Sequence, residues 1–403
     1  MNTGNGVFAQ FKAQKAKIVD VDLFFTPSKP IEAYTHLKGR DDEVKHILST
    51  LTTAGQHCMI YGERGIGKSS LALSTLEGGR ETGIFSQPFF IKRCDKKTKF
   101  KDIIQQPAVY LDEDYAAQKK ETTTKTGIGL NLLKLFRADV AVEIKKTIEK
   151  EDLTASKVSQ AFEDMEGILL IDEFDVVGDD VKHEVAELIK QLSDSNSKLK
   201  ILLVGIASDG GSLIAGHQSV NRCLHEIKLP RIEDKYLYEI ITTGETGLNI
   251  TFNDDVKDKI VEISNGFPYF THLIGKESAE ISLSDSKNPI DQEVLTKALQ
   301  KAVVNTEGLL KRAYEEAVTS SRTDVYPYIL FAAAKFADNR FTIQEWIAQI
   351  KDDTGIQYNN NGMSNYIGRF TREDKGKILT KAARGVYRIT DPRMPSYIRM
   401  VNS

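Results

Sequence analysis

The stretch Gly62-Glu63-Arg64-Gly65-Ile66-Gly67-Lys68-Ser69 constrains this chain more than any other part of it. It follows a short apolar run, Cys58 to Tyr61, and opens a helix-prone stretch, so the local order reads strand, loop, helix. Three glycines within six positions let the backbone turn its amide hydrogens inward and approach a polyphosphate closely, which a loop bearing side chains could not do. Lys68 is spaced to reach the β and γ phosphates, and Ser69 to hold a magnesium ion through its hydroxyl. The positive end of the following helix adds to the anion site. The motif therefore predicts a site for ATP and Mg2+ built from Gly62, Glu63, Arg64, Gly65, Ile66, Gly67, Lys68, Ser69 and Ser70.

A second landmark lies about a hundred residues on. Gly167-Ile168-Leu169-Leu170-Ile171-Asp172-Glu173-Phe174-Asp175 is an apolar run that ends in carboxylates, which is what a central parallel strand presents at its C-terminal edge. Asp172 is the expected second magnesium ligand. Glu173 is the expected group that polarises the attacking water, the positioning role that phosphoryl transfer requires. A third buried strand, 199–206, ends in Ala207-Ser208-Asp209. Ser208 is the candidate γ-phosphate sensor with Asp209 in reserve, and a helix cap or turn is the competing explanation.

Around these landmarks strands and helices alternate, which argues a parallel sheet. A helix is expected over 41–51, strands over 88–93 and 226–229, and an amphipathic helix carrying Val181, Val185, Leu188, Ile189 and Leu192. The segment 94–165 is the least legible; 100–110 looks helical, and alternation over 128–144 permits an inserted hairpin. Arg222 precedes the 226–229 strand and is a candidate to act in trans on a neighbour's nucleotide, a surface ion pair being the bland alternative. From 232 to 302 the pattern is wholly helical, with Asn265-Gly266 ending one helix and Pro268 starting the next. Three short helices and a hairpin over 377–390 then follow the order of a winged helix.

Composition bounds the rest. The chain has 403 residues, 40% hydrophobic and 28% charged, the balance of a folded globular protein. Its apolar runs are too short to span a bilayer and its first twenty residues lack a signal-peptide core, so a cytoplasmic location away from membranes is expected. Three scattered cysteines predict buried free thiols and no zinc site. The net charge is −3, yet residues 366–403 hold nine Lys/Arg against three Asp/Glu. That basic end implies an anionic partner or a solvated face.

Taken together, these motifs resemble the AAA+/STAND side of the P-loop ATPases, close to the origin-recognition type of initiator ATPase. GERGIGKS matches Walker A, ILLIDEFD matches Walker B, and HLKGRDDE resembles the segment flanking the adenine, which brings in Arg40. NGFPYFTHL resembles the motif by which a helical lid touches the base, here through Gly266 and Pro268. HQSVNRCLHEIKLP resembles the arginine-finger region and strengthens Arg222. FTIQEW and RGVYRITDP resemble the recognition region and wing of a C-terminal winged helix. The chain departs from the pattern where a lid arginine is usual; His272 either substitutes for it or is a core residue.

The resemblance implies an α/β fold: a parallel-sheet P-loop ATPase core with a helical lid and a C-terminal winged-helix domain. Its expected boundaries are an N-terminal arm over 1–30, the core over 31–230 with 94–165 as a candidate insertion, the lid over 231–320 and the winged helix over 321–403. The function expected first is a Mg-dependent, slow ATP-hydrolysing switch in which Glu173, Lys68, Arg222 and Ser208 act, and whose nucleotide state controls homo-oligomerisation and engagement of a partner. One alternative is a DNA-binding initiator or loader that places 342–350 in a groove of duplex DNA and Arg384, Arg388 and Arg393 on phosphates. Another is a STAND scaffold that passes its state to a separate effector protein.

Overall fold

A computed structural model describes residues 21–31, 33–111, 153–207, 210–214, 218–320, 323–337 and 339–403. The candidate hairpin over 128–144, most of the N-terminal arm, and the sensor candidates Ser208 and Asp209 lie outside the described residues. The chain divides into two compact units, one formed by Pro30–Glu63 and Gly67–Pro230, the other by Met1–Lys29, Arg64–Ile66 and Arg231–Ser403.

The first is a sheet unit. Its strands β1 (His57–Gly62), β2 (Phe89–Arg93), β3 (Gly167–Asp172), β4 (Leu199–Ile206) and β5 (Leu224–Lys228) are all parallel, in the order β2-β3-β4-β1-β5. β1 and β3 are buried along their whole length, as strands covered on both faces must be, and their sequences are accordingly apolar without alternation. Helices α1 (Asp41–Thr52), α2 (Lys68–Glu81), α3 (100–111), α4 (Ala155–Ala161) and α5 (Asp179–Asp194) belong to this unit. On α5 the expected stripe Val181, Val185, Leu188, Ile189 and Leu192 is buried against the core that includes Leu169, Ile171, Ile201 and Leu203. Register pairs Gly62 with Ile206 and Arg93 with Asp172. The strand ends that carry chemistry therefore share one edge.

The second unit is helical: α6 (Asp234–Leu248), α7 (Asp254–Ser264), α8 (Pro268–Asp285), α9 (Gln292–Asn305), α10 (Gly308–Val318) and α11 (Tyr326–Ala334) lead to a small C-terminal module. Near its start Phe25 fits against Gly244 of α6 and Gly275 of α8, where an added Cβ would come within 2.4 Å of the ring. Glycine is needed there for close approach. The C-terminal module comprises β6 (Phe341–Thr342), α12 (Ile343–Thr354), α13 (Asn360–Phe370), β7 (Leu379–Ala383) and β8 (Val386–Ile389), with antiparallel strand order β6-β8-β7. The last helix, α14 (Met394–Val401), packs against α11, α9 and α7.

The helices expected over 342–350 and 362–369 are α12 and α13, and α13 lies directly before the hairpin. Thr342 and Glu345 are committed to a capping box at the start of α12. One expectation about this end is corrected. Arg393 is 2% exposed and donates to Glu307 and Asp391 at 2.7 and 2.8 Å, so it does not reach a phosphate on an external duplex. Among the described residues no helix is long and apolar enough to cross a membrane.

Candidate functional site

The phosphate-type loop begins where β1 runs out of partners. Gly62, Gly65 and Gly67 have φ of +152°, +83° and +92°, a region that side-chain-bearing residues avoid. At Gly67 an added Cβ would meet nothing within 4 Å, so the requirement is for the backbone angle and not for space. That angle sets the start of α2, whose first bond runs from Leu71 N–H to Gly67 O at 2.9 Å. Lys68 is only 8% exposed, and its ammonium donates to Glu63 O at 2.7 Å and Gly62 O at 3.1 Å. The cation is thus held inside the curve of its own loop.

Ser69 and Asp172 are 103 residues apart in sequence, yet the Ser69 hydroxyl donates to Asp172 Oδ1 at 3.0 Å. The same oxygen accepts the Glu173 N–H at 2.9 Å. Asp172 is 5% exposed and its backbone carbonyl accepts the Cys94 N–H at 2.9 Å, so its orientation is fixed by the neighbouring strand. A hydroxyl and a carboxylate oxygen at this spacing are hard donors that fit one small divalent cation of the magnesium type. Among the described residues no group of three or more His, Cys, Asp or Glu forms a metal cage. An ion on Ser69 and Asp172 would therefore keep positions for phosphate oxygens and water.

Glu173 is exposed and has a left-handed backbone, φ +57°. A non-glycine residue there carries strain of about 1 kcal/mol or more, and such strain persists only where surrounding bonds hold it. One of those bonds comes from a residue that the sequence reading quoted without a role. Asp175 Oδ1 accepts the Ile206 N–H at 2.8 Å, joining the turn after β3 to the end of β4. The signal was the third carboxylate in Asp172-Glu173-Phe174-Asp175, which its spacing from Asp172 could have flagged.

The other site candidates are distributed as follows. Ser70 Oγ accepts the Ile31 N–H at 3.1 Å. Arg40 is 4% exposed, donates to Pro230 O at 2.7 Å and pairs with Glu43 at 3.2 Å; burial pulls its guanidinium pKa down and Glu43 draws it back up. Its side chain thus ties the start of α1 to the chain leaving β5. Arg222 sits at the opposite sheet edge from the loop, because His57 at the start of β1 pairs with Leu224. Across the six residues of β1 that is about 16 Å of strand, so Arg222 does not serve its own loop. It is 65% exposed and paired with Asp194.

Arg64, Gly65 and Ile66 group with the helical unit, where Arg64 lies 3.5 Å from Glu307 and Ile66 is buried. In that unit Gly266 has φ +79° against Arg231, and Pro268 occupies the first turn of α8. His272 is 5% exposed, stands edge-on to the Phe25 ring, and its Nδ1 accepts the Thr26 N–H at 3.3 Å. Those contacts are those of a core residue. Cys58, Cys94 and Cys223 are buried free thiols, and burial pushes the Cys94 thiol up to about 12.

Residues 52–208 match the family model described as an AAA domain. No curated protein matches the chain by sequence. Among solved structures, the Walker-type ATPase of Pyrococcus abyssi is similar with a TM-score of 0.51 and 18% identity, covering 92% of this chain and 99% of that one. The ORC2 protein of Aeropyrum pernix aligns at 0.46 and 14% identity over 95% and 96% of the two chains. Cdc6p of Pyrobaculum aerophilum aligns at 0.44 and 13% over 94% and 98%. At such identities a likeness is one of fold. The match gives residues 52–208 an AAA domain, and the expected resemblance to the P-loop ATPases holds there, where the Ser69–Asp172 hydrogen bond brings the two motifs together.

Proposed function

We propose that the chain is an ATP-hydrolysing switch whose nucleotide state governs its self-association. The observation that carries this reading is the Ser69–Asp172 hydrogen bond, which brings the two motifs together at one edge of the sheet. Lys68 binds the β and γ phosphates, and the loop amides after Gly62 orient them. A magnesium ion on Ser69 and Asp172 supplies charge neutralisation at the phosphates. Glu173 stands beside them, exposed, and holds the water that attacks the γ-phosphorus. Arg40, Gly266 and Pro268 are assigned to the base, and Ser208 to the γ-phosphate. Arg222, too far from its own loop, completes the site of a neighbouring copy.

The test is steady-state phosphate release with mass photometry on the same samples. Lys68→Ala is expected to abolish turnover, and Glu173→Gln to retain ATP binding while losing at least a hundredfold in rate. ATP is expected to raise the mass of the wild type, and Arg222→Ala to prevent that rise. Wild-type turnover by Glu173→Gln would sink the catalytic assignment, and an unchanged mass with ATP would sink the trans assignment.

A second reading, duplex DNA binding through a winged helix, is favoured by one observation. The exposed face of α13 carries Asn360, Asn361, Ser364, Asn365 and Gly368, and the hairpin that follows exposes Lys381, Arg384 and Arg388. Short amide and hydroxyl side chains suit base edges, and the hairpin cations suit phosphates. Absence of any mobility shift with duplex DNA at low salt would dismiss it.

A further inference from the structure

Asp175 does not touch the loop, and none of the roles assigned so far uses it. The turn after β3 starts at Asp172, whose Oδ1 accepts the Glu173 N–H at 2.9 Å. It closes with Val176 N–H on Glu173 O at 3.3 Å and is then fastened to β4 by Asp175 Oδ1 accepting the Ile206 N–H at 2.8 Å. Glu173 therefore sits, with φ +57°, between two carboxylates that each hold a backbone amide. The fit beneath is tight: a Cβ on Gly205 would lie 3.2 Å from Asp175 N and 2.7 Å from Leu213 Cδ2. Gly205 lets β4 pass close under the turn, and Asp175 fixes the turn to it.

Ile206 is also the residue that pairs in register with Gly62, the first residue of the phosphate loop. The Asp175 bond thus ends on the strand position level with the loop. A left-handed non-glycine residue is kept there only if its surroundings over-determine it. Without the Asp175 acceptor, the turn keeps the two bonds made by Glu173 itself, to Asp172 and from Val176, and loses the one that fastens it to β4. The Glu173 carboxylate would swing from the place where the water must be held, whereas Lys68, held by the carbonyls of Gly62 and Glu63, and Ser69, held by Asp172 at the strand end, would still bind nucleotide.

We propose that Asp175 is a positioning residue for ATP hydrolysis: by accepting the Ile206 amide it locks the Walker B turn to the end of β4 and so aims Glu173. The inference rests on the ATPase reading above, and its test is arranged so that the two can fail separately. Asp175→Ala removes the acceptor; Asp175→Asn keeps a neutral acceptor of the same shape. Two measurements are made on the full chain: amide hydrogen exchange at Ile206 without nucleotide, and steady-state phosphate release across ATP concentrations.

The expected result is faster Ile206 exchange in Asp175→Ala, with kcat lowered about ten- to a hundredfold, as small misplacements of a catalytic group produce, and KM for ATP unchanged. Asp175→Asn is expected to restore both protection and most of kcat. Wild-type kcat in Asp175→Ala, or a raised KM at unchanged kcat, overturns the proposal. So does Asp175→Asn behaving like Asp175→Ala, since the charge and not the acceptor would then matter. If the wild type itself releases no phosphate, the ATPase reading fails, and the aiming role fails with it. Ile206 exchange then still reports whether the lock exists.

Discussion

Two basic stretches of this chain have opposite fates. Residues 366–403 carry nine Lys/Arg, yet five are consumed within the helical unit. Arg369 donates to the carbonyls of Ala317 and Thr319. Arg372 pairs with Asp374 at 2.6 Å and Lys377 with Glu373. Arg393 takes Asp391 and Glu307, and Arg399 takes the carbonyls of Ala334 and Glu262. By contrast the turn joining β2 to α3 holds its shape with Asp95 and Thr98, which bond each other and the Lys97 and Asp95 amides. Arg93, Lys96 and Lys97 are left exposed, with no carboxylate at ion-pair distance among the described residues. A cation near the end of a packed chain finds carbonyls and carboxylates; one on a short turn closed by its own polar side chains does not. Formal charge in a sequence window is therefore a poor guide to charge available for a partner.

The largest effect expected from this contrast is at Arg393. Arg393→Ala removes a buried cation from two carboxylates, and because both are about one-third exposed (32% and 36%) the loss falls at the low end for a broken buried pair, about 3 kcal/mol. Urea unfolding measures it, and a loss below about 1 kcal/mol would show that the cation is not spent on stability. A smaller, purely electrostatic effect is expected for Arg384→Gln/Arg388→Gln. If the DNA reading holds, the slope of log affinity against log salt becomes shallower by about 2 while unfolding is unchanged. An unaltered slope would take the hairpin out of that reading. Smallest is Arg93→Gln/Lys96→Gln/Lys97→Gln, expected to move stability by no more than about 0.5 kcal/mol. A larger loss would mean that these cations have partners within the fold after all.

Most of the sheet unit was legible in the sequence because its signals are local. β4 begins and ends at the expected residues, β1 leads into the loop, and the α5 stripe is buried as its period requires. A buried parallel strand must be apolar on both faces, and a phosphate loop must contain glycine where φ is positive; neither demand depends on what lies elsewhere in the chain. The helices α6 to α9 were legible for the same reason, with Asn265 and Gly266 both left-handed at the expected cap.

What the sequence alone did not yield was everything that needs two distant segments to meet. The helix α10, the two-residue strand β6 and the closing helix α14 were not expected from the sequence, although both helices are amphipathic, and each buries apolar residues against its neighbours. The acceptor role of Asp175 appears only when β3 and β4 lie side by side, because nothing in Asp172-Glu173-Phe174-Asp175 names Ile206 as its donor. The sequence by itself determined which groups the site has to offer: a glycine-rich loop with its lysine, a serine hydroxyl and a run of carboxylates at a strand end. Tertiary structure decided which charges remain free to act, because ion pairs and backbone acceptors are supplied by proximity in space, and the order of residues along a chain does not contain that distance.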